Sequence, residues 1–537
     1  MAVQQCRRVI WLILDGLGFR HWERVRAEDP ASLPAISRFT GEGIVVSSQP
    51  SSPVCQTPAA LFTLFSGVSP LRHGIWGYRM PAGGAKPHRS ISGFSARPLE
   101  GRPIWEDLEE NGLSYSLMNV AFRNDSVWKE PRPGLSVAYD GYRTLRGTRE
   151  YCVKRGWRII RFKGMDLRVR AGKGSMEIRK GGRRIGRAPT GRMTQIRLTR
   201  GTRGIAFPLD AGTLFLFSAN EAVTRGGEAG EMKTLEFFDA QVFKAMRAGR
   251  RDRPGEEVPP DTEMAPAVAS FTVQRRVALE MLDCRRTSLA ILYFPLIDYI
   301  NHAYMDLVDA EWPRGHGSEV LRRGFSLVDG LVGDLCARCG PDDLLVVSSD
   351  HGAVPFRRVF HLNELFAEAG LLPRKGGRFL FHEAAAYYHP SECGLVLFQE
   401  RAARRLGMDR SRVLALVREI PRLALSLHGV PVGMQDGPKD ASWLSLLYPL
   451  DDTSFSSAPC PHPGKPVRGG KAGGHHISPL CPSAWIPSVL GIWGPDRKRL
   501  PSTDRVPTRN EDVKRFLLET LDCVPTGGSA IKSKDLP

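Results

Sequence analysis

The sequence predicts an α/β fold: a doubly wound, mostly parallel sheet flanked by helices, with an inserted basic β-rich module. Four apolar runs have the length of strands, and they cover residues 9–14, 289–297, 344–349 and 484–492. Uninterrupted apolar runs of this length are typical of strands buried on both faces of a parallel sheet. Helix-spaced apolar residues lie between these runs, for example over 320–339. Strands that alternate with helices indicate a doubly wound sheet.

The inserted module is indicated by its charge. The segment 153–204 holds 17 Lys or Arg and two acids, so it contributes +15 of the net charge of +18. Alternating apolar and cationic residues in it are separated by Gly-Lys-Gly and Lys-Gly-Gly, as in β-hairpins. A localised basic field indicates a surface that meets an anion. A solvated hairpin without a ligand is the alternative.

These patterns divide the 537 residues into four parts. Residues 1–145 and 226–523 are the two parts of the α/β domain, 146–225 are the basic β-rich insert, and 524–537 are a disordered tail. Within the second part, a linker rich in proline and charge is expected over 250–266. The length of the chain agrees with more than one folded unit.

Sequence features also bear on the compartment. No apolar run approaches the roughly 20 residues that a spanning helix needs, so no membrane span is expected. The short apolar run 9–14 is not followed by the small-residue cleavage site of a signal peptide. The ten cysteines are scattered, without the spacing of a disulfide framework. We therefore expect a cytoplasmic protein, and the sequence leaves its oligomeric state open.

Carboxylates and imidazoles follow three of the apolar runs. Asp15 follows the first, Asp298 and His302 stand in Asp-Tyr-Ile-Asn-His after the second, and Asp350 and His351 are adjacent after the third. Because ligands bind at the carboxyl ends of strands in such sheets, we expect these side chains to lie together. Carboxylate oxygens and imidazole nitrogens suit zinc. Taken singly, each residue could instead be a helix cap or a loop hydrogen-bonding group.

The most specific segment covers residues 53–75, Pro-Val-Cys-Gln-Thr-Pro-Ala-Ala-Leu-Phe-Thr-Leu-Phe-Ser-Gly-Val-Ser-Pro-Leu-Arg-His-Gly-Ile. Thr57 begins a predicted helix, Gly67 follows ten residues later, and Pro70 and the pair His73-Gly74 come next. This segment resembles the alkaline phosphatase superfamily, specifically its type I phosphodiesterase/nucleotide pyrophosphatase-like members. With the order of the acids and histidines, the resemblance covers about 1–140 and 270–520, and it leaves the basic insert unaccounted for.

The resemblance implies a site for two Zn²⁺ ions, with another divalent metal such as Mn²⁺ as an alternative. The last ligand is a histidine of the Gly-Gly-His-His run, and we choose His475 because the family places this ligand two residues after a glycine, here Gly473. His476 follows Gly474 at the same interval and is the alternative. The implied metal ligands are Asp15, Thr57, Asp298, His302, Asp350, His351 and His475.

The implied activity is hydrolysis of phosphate esters, above all phosphodiester or pyrophosphate bonds, on a small phosphorylated substrate. Thr57 is the implied catalytic nucleophile, and it would form a covalent phosphothreonine intermediate. Its place at a helix N-terminus suits a phosphoryl group, because the backbone N–H groups there attract anions. A phosphomonoesterase or phosphonate hydrolase of the same fold is an alternative. A non-catalytic binder of an anionic polymer or nucleic acid, using the basic insert, is another. Substrate-binding residues are not indicated.

Overall fold

The structure is a computed structural model. It describes residues 8–81, 90–122, 134–140, 149–153, 156–162, 164–199, 203–209, 213–219, 223–226, 230–234, 246, 259–284, 286–390, 393–437, 443–461, 466–468, 473–476 and 478–523. The expected tail, 524–537, lies outside the described residues, as do residues 250–258 of the expected linker.

A nine-stranded sheet forms the centre of the molecule. Its strands in spatial order are Val223–Gly226, Gly230–Thr234, Leu135–Asp140, Tyr115–Met118, Leu289–Phe294, Arg8–Leu14, Asp343–Ser348, Ser488–Trp493 and Ile44–Ser48. The six strands from Gly230–Thr234 to Asp343–Ser348 pair in parallel, whereas the pairings outside them are antiparallel. The predicted fold class, a mostly parallel sheet in an α/β fold, is confirmed.

Burial of both sheet faces explains why the apolar runs could be recognised. In the strand Arg8–Leu14, Ile10 and Leu12 belong to one buried cluster, while Trp11 and Ile13 belong to another on the opposite face. Successive side chains of a strand point to opposite faces, so a strand covered on both sides is apolar throughout.

Helices cover the sheet and fill the rest of the domain. The described α-helices are Phe19–Glu28, Pro34–Glu42, Thr57–Ser66, Pro70–His73, Ile104–Glu110, Pro260–Cys284, Leu296–Glu311, His316–Cys336, Asn363–Glu368, Glu400–Arg405, Arg410–His428 and Asn510–Thr520. The helix predicted over 320–339 is confirmed as His316–Cys336. None of the described helices is both long and apolar enough to cross a bilayer.

The expected linker is partly helical. The helix Pro260–Cys284 takes in the last seven of its residues, including Pro266 inside the helix. Proline is well tolerated at the first helical position, where Pro260 lies. Met264 and Phe271 of this helix are buried in the main core, and their burial offsets the hydrogen bond that Pro266 cannot make.

A second region, whose strands follow Asp350 in the chain, packs around its own hydrophobic core. Its four-stranded antiparallel sheet has the strands Ala386–Tyr388, Leu395–Phe398, Trp443–Pro449 and Val432–Asp436, in that spatial order. Shorter pairings join Arg358–His361 with Thr453–Ser456 and Val467–Arg468, Val354–Phe356 with Gly473–His475, Arg374–Lys375 with Arg378–Phe379, and Arg79–Pro81 with Ser90–Ser92.

The basic segment forms β-structure, as its hairpin pattern suggests. One four-stranded antiparallel sheet has the strands Arg183–Pro189, Ser175–Lys180, Met165–Gly172 and Trp157–Phe162. A second has the strands Thr194–Arg197, Arg203–Pro208, Thr213–Ala219 and Arg149–Cys152. Both contribute to one separate buried cluster. The next strand, Val223–Gly226, already belongs to the central sheet. The boundaries 146 and 225 remain a prediction.

Candidate functional site

Two of the predicted carboxylates lie at the carboxyl ends of adjacent parallel strands. Asp15 directly follows Arg8–Leu14, and Asp350 comes two residues after Asp343–Ser348. The backbone N–H of Gly16 donates to Asp350 Oδ1 at 3.2 Å, which ties the two strand ends together. Both carboxylates are buried, with at most 2% of the residue exposed.

The third carboxylate comes from the strand on the other side of Arg8–Leu14. That strand ends at Phe294, and Asp298 lies in the first turn of the helix Leu296–Glu311. His302 is one turn further along the same helix face, and its Nε2 is 3.3 Å from Asp298 Oδ2. A Cβ at Gly16 would lie 2.8 Å from the Asp298 Cα, so glycine allows the helix to approach the strand end.

Thr57 begins the helix Thr57–Ser66, as predicted, with Pro58 in its first turn. The helix ends at Gly67, which has the left-handed φ of +70° that favours glycine. Thr57 Oγ1 lies 3.1 Å from His351 Nε2 and 2.7 Å from the hydroxyl of Tyr78. The hydroxyl of Thr57 is therefore in direct contact with the carboxylate and histidine cluster.

The two adjacent histidines occupy different environments. His476 stacks on His351 with ring centroids 3.7 Å apart, and its Nε2 is 3.5 Å from Asp298 Oδ1. His475 ends the strand Gly473–His475, and its ring packs against Phe356. Because successive side chains of an extended segment point in opposite directions, only one of the pair can face the cluster. The structure brings His476 to the cluster, whereas the sequence led us to choose His475.

Two carboxylate oxygens converge on one ring nitrogen of His351. His351 Nδ1 lies 2.8 Å from the carbonyl oxygen of Gly352, so Nδ1 donates, and in the neutral imidazole Nε2 presents a lone pair. Nε2 nevertheless faces Asp15 Oδ1 at 3.3 Å and Asp350 Oδ2 at 3.2 Å. A lone pair and two carboxylate oxygens repel one another unless a proton or a metal cation lies among them.

The same arrangement recurs around His302. Its Nδ1 lies 3.0 Å from the carbonyl oxygen of Gly474 and donates to it. Its Nε2 therefore presents a lone pair to His476 Nε2 at 3.2 Å and to Asp298 Oδ2 at 3.3 Å. An imidazole whose second nitrogen donates to a backbone carbonyl is the usual form of a metal-binding histidine. Close packing supports this contact, since a Cβ at Gly474 would lie 2.6 Å from the carbonyl oxygen of Asn301.

Two groups of side chains could therefore hold a metal ion. Asp298, His302 and His476 form one group, and Asp15, Asp298 and His351 form the other, each with one ligand atom per residue within 4.8 Å of the others. Asp298 belongs to both groups, so it lies between them. Asp350 adjoins the second group through His351.

The charge of the cluster also favours a cation. Burial raises the pKa of Asp15, and the negative charges of Asp350 and Asp298 raise it further. Burial likewise raises the pKa of Asp350. At Asp298 burial acts in the same direction, and it is positive charge at His302 above all, with His476, that lowers its pKa below the usual range. Among the described residues, none of the three carboxylates forms an ion pair with Arg or Lys.

Several contacts of the site were not anticipated from the sequence. The hydroxyl of Tyr293 donates to Asp15 Oδ2, and Asn510 Nδ2 donates to the carbonyl oxygen of Asp350 at 2.8 Å. Tyr78 contacts the Thr57 hydroxyl from a loop held by the Gln56 side chain, whose Oε1 accepts from Tyr78 N at 3.1 Å. Tyr293 lies in an apolar run and Tyr78 in a loop without a recognisable pattern, so neither was marked as a site residue.

A family model shows to which family the chain belongs. The model described as type I phosphodiesterase/nucleotide pyrophosphatase matches residues 9–419, which is more than half of the chain. The chain belongs to this family. The resemblance seen in the segment around Thr57 is confirmed, and the chain is a phosphoric ester hydrolase of the alkaline phosphatase superfamily. The type I phosphodiesterase/nucleotide pyrophosphatase family is generally metal-dependent, in agreement with the two side-chain groups.

Solved structures to which the chain is similar include complexes with AMP and with phosphonoformate. An inactive form of murine ectonucleotide pyrophosphatase/phosphodiesterase 5 in complex with AMP is similar over 98% of both chains, with 12% identity and a TM-score of 0.48. Phosphonoacetate hydrolase from Sinorhizobium meliloti 1021, in complex with phosphonoformate, is similar over 97% of both chains, with 14% identity and a TM-score of 0.48. No curated protein matches the chain.

Proposed function

We propose that the chain hydrolyses phosphodiester or pyrophosphate bonds in small phosphorylated substrates, at a two-zinc site and through a phosphothreonine intermediate on Thr57. The observation that carries the proposal is the contact between the Thr57 hydroxyl and a buried cluster of acceptor atoms with no described Arg or Lys partner. Another divalent metal such as Mn²⁺ would suit the same oxygen and nitrogen ligands.

The donor set fits two metal ions. One oxygen on each carboxylate is buried and accepts no hydrogen bond from the described residues, namely Asp15 Oδ1, Asp298 Oδ1 and Asp350 Oδ2. We assign Asp15, Asp350, His351 and the Thr57 oxygen to one ion, and Asp298, His302 and His476 to the other. The choice of His476 in place of His475 rests on its contacts with His302 and Asp298. When bound, the ions would supply positive charge to the attacking and leaving oxygens.

The protein itself supplies the nucleophile and part of the anion-binding site. Thr57 Oγ1 is the attacking atom, and the start of the helix Thr57–Ser66 favours the negative charge of the phosphoryl group beside it. Attack by Oγ1 on the phosphorus of a diester forms a phosphothreonine ester that keeps the second substrate group, as the bond to the leaving oxygen breaks. Water then hydrolyses this ester and returns the Thr57 hydroxyl.

Tyr78 is a hydrogen-bond donor to the nucleophile in this proposal. Burial of its hydroxyl end and the charges of Asp298 and Asp15 raise the pKa of Tyr78, although the residue as a whole is 37% exposed. The hydroxyl therefore keeps its proton at neutral pH. Because Tyr78 keeps its proton, its hydroxyl can donate to Thr57 Oγ1 and stabilise the negative charge that develops there.

Tyr78→Phe is expected to lower kcat by about 10²-fold, because it removes one donor at the reacting oxygen and leaves the ring in place. KM should change by less than about threefold, since the ring contacts with Phe94 and His476 remain. Steady-state kinetics on an aryl phosphodiester would measure both parameters. An unchanged kcat would remove Tyr78 from the chemistry.

The preference for diesters follows from the charge at the site. A phosphomonoester carries one more negative charge than a diester, and beside the two proposed ions no described Arg or Lys pairs with the three carboxylates to bind that extra charge. We expect kcat/KM for a bis-aryl phosphate to exceed that for the matching mono-aryl phosphate by at least about tenfold, equivalent to roughly 1.4 kcal/mol. Faster hydrolysis of the mono-aryl ester would favour a phosphomonoesterase, and turnover of a phosphonate alone would favour a phosphonate hydrolase.

A further inference from the structure

The basic insert presents an arginine-rich sheet face that the proposed hydrolysis does not use. This face belongs to the four-stranded sheet that runs from Arg183–Pro189 to Trp157–Phe162. One side of that sheet is buried in the core of the insert, through Ile160, Phe162, Leu167, Val169, Met176 and Ile178. The alternating residues point to the other side, which we call the arginine face: Trp157, Ile159, Arg161, Asp166, Arg168, Arg170, Ser175, Glu177, Arg179, Arg184 and Arg187.

The strand register places arginines side by side on the arginine face. One row across the sheet consists of Ile159, Arg168, Arg179 and Arg184, which are direct cross-strand partners. Like charges directly opposite each other destabilise a sheet. Glu177 balances only part of this charge, through contacts of 2.7 Å with Arg179 and 3.3 Å with Arg170. The row therefore gains stability from an external anion.

The composition of the arginine face indicates phosphate as that anion. Its six cations are all arginines, set against two acids, Asp166 and Glu177. The guanidinium group offers paired donors that match phosphate oxygens, and it is more weakly hydrated than the lysine ammonium group. Each such cation near a negatively charged phospholipid surface contributes about 1 kcal/mol of attraction.

An exposed apolar side chain on the arginine face favours a phospholipid surface over other ligands that carry phosphate. Ile159 is 71% exposed, the highest value among the large hydrophobic residues of the described chain, and it lies in the same row as three arginines. An isoleucine beside cations suits the boundary between lipid headgroups and acyl chains. A single-stranded nucleic acid would instead need open aromatic faces. Trp157, the one aromatic residue of the arginine face, already has the guanidinium carbons of Arg168, Arg170 and Arg179 at 4.9–5.6 Å from its ring centroid.

We propose that the arginine face is a docking surface for an anionic phospholipid membrane. The arginines bind lipid phosphates, and Ile159 enters the apolar boundary beneath them. The phosphates relieve the repulsion within the arginine row. This inference is independent of the proposed hydrolysis, because none of its residues belongs to the candidate site.

Vesicle flotation of the full chain tests the docking surface. We expect binding to vesicles of phosphatidylcholine mixed with phosphatidylglycerol and none to phosphatidylcholine alone. The double variant Arg168→Gln/Arg170→Gln should bind the mixed vesicles about 30-fold more weakly, since two cations are removed. The control Arg401→Gln/Arg412→Gln has the same net charge and changes exposed arginines outside the insert, so it should bind as the wild type does.

The variant Ile159→Ser tests whether the ligand of the arginine face is a lipid surface or a nucleic acid. It should weaken vesicle binding by about tenfold, because an exposed isoleucine loses its apolar contact with the bilayer. Binding of a single-stranded oligonucleotide should be unaffected by it. The proposal is overturned if the wild type fails to bind the mixed vesicles, if the charge-matched control loses as much binding as the arginine-face variant, or if Ile159→Ser binds vesicles unchanged. Hydrolysis of a soluble aryl phosphodiester should be the same in all these variants.

Discussion

Thr57→Ala is expected to lower kcat for phosphodiester hydrolysis by at least about 10³-fold, because it removes the oxygen that attacks phosphorus. The helix should survive, since alanine is the best helix former and Pro58 still lies in the first turn. Steady-state kinetics at saturating aryl phosphodiester would measure the loss.

Thr57→Ser is the matched control for this prediction. It keeps a hydroxyl at the same helix N-terminus and should retain turnover within about tenfold of the wild type. Intact-mass analysis of rapidly quenched enzyme should show a chain that carries phosphate with its remaining ester group for wild type and Thr57→Ser, and no such adduct for Thr57→Ala. Comparable turnover in the alanine variant would show that Thr57 is not the nucleophile.

His476→Ala is expected to lower both metal content and turnover, the latter by more than about 100-fold. Its Nε2 lies within 3.2 Å of His302 Nε2 and 3.5 Å of Asp298 Oδ1, so its loss removes one ligand from one ion. Removing even outer partners of metal ligands commonly costs about 10–100-fold, and a direct ligand should cost more. Elemental analysis after dialysis, together with kinetics, would measure both effects.

His475→Ala is the matched control, because the two histidines are neighbours and both are buried. His475 packs against Phe356 and contributes no atom to either side-chain group. Its alanine variant should therefore keep the wild-type metal content and most of the turnover, whatever stability it loses. The reverse outcome, with His475→Ala losing metal and His476→Ala keeping it, would restore the choice made from the sequence.

The central sheet and most of the site could be predicted from the sequence for one physical reason. Parallel strands covered on both faces must be apolar throughout, so the polar residue that ends each run is conspicuous. Asp15 and Asp350 stand at such ends, and the spacing of Asp298 and His302 places them on one helix face. Three adjacent strands then bring these residues together.

The remaining features depend on tertiary packing. The choice between His475 and His476 depends on which way a short strand faces, and sequence spacing does not specify that direction. Tyr78 reaches Thr57 from a loop whose position is set by contact with Gln56. The start of the helix Pro260–Cys284 was not predicted, because its prolines are typical of a linker. The burial of Met264 and Phe271 that stabilises the helix depends on residues distant in the sequence.

The sequence indicated the charge of the proposed docking surface but not the residues that form it. The excess of cations over 153–204 indicated an anion, but an alternating pattern alone could not show which cations share a face. The strand register supplied that information by aligning Ile159 with Arg168, Arg179 and Arg184.

The metal content of the purified wild-type chain tests the central claim most directly. Convergence of buried acceptor atoms around Thr57 favours cations, so elemental analysis after dialysis against metal-free buffer should find two divalent ions per chain, with zinc foremost. A chain that contains no divalent metal, and that hydrolyses an aryl phosphodiester equally well with and without a strong chelator, would contradict the account.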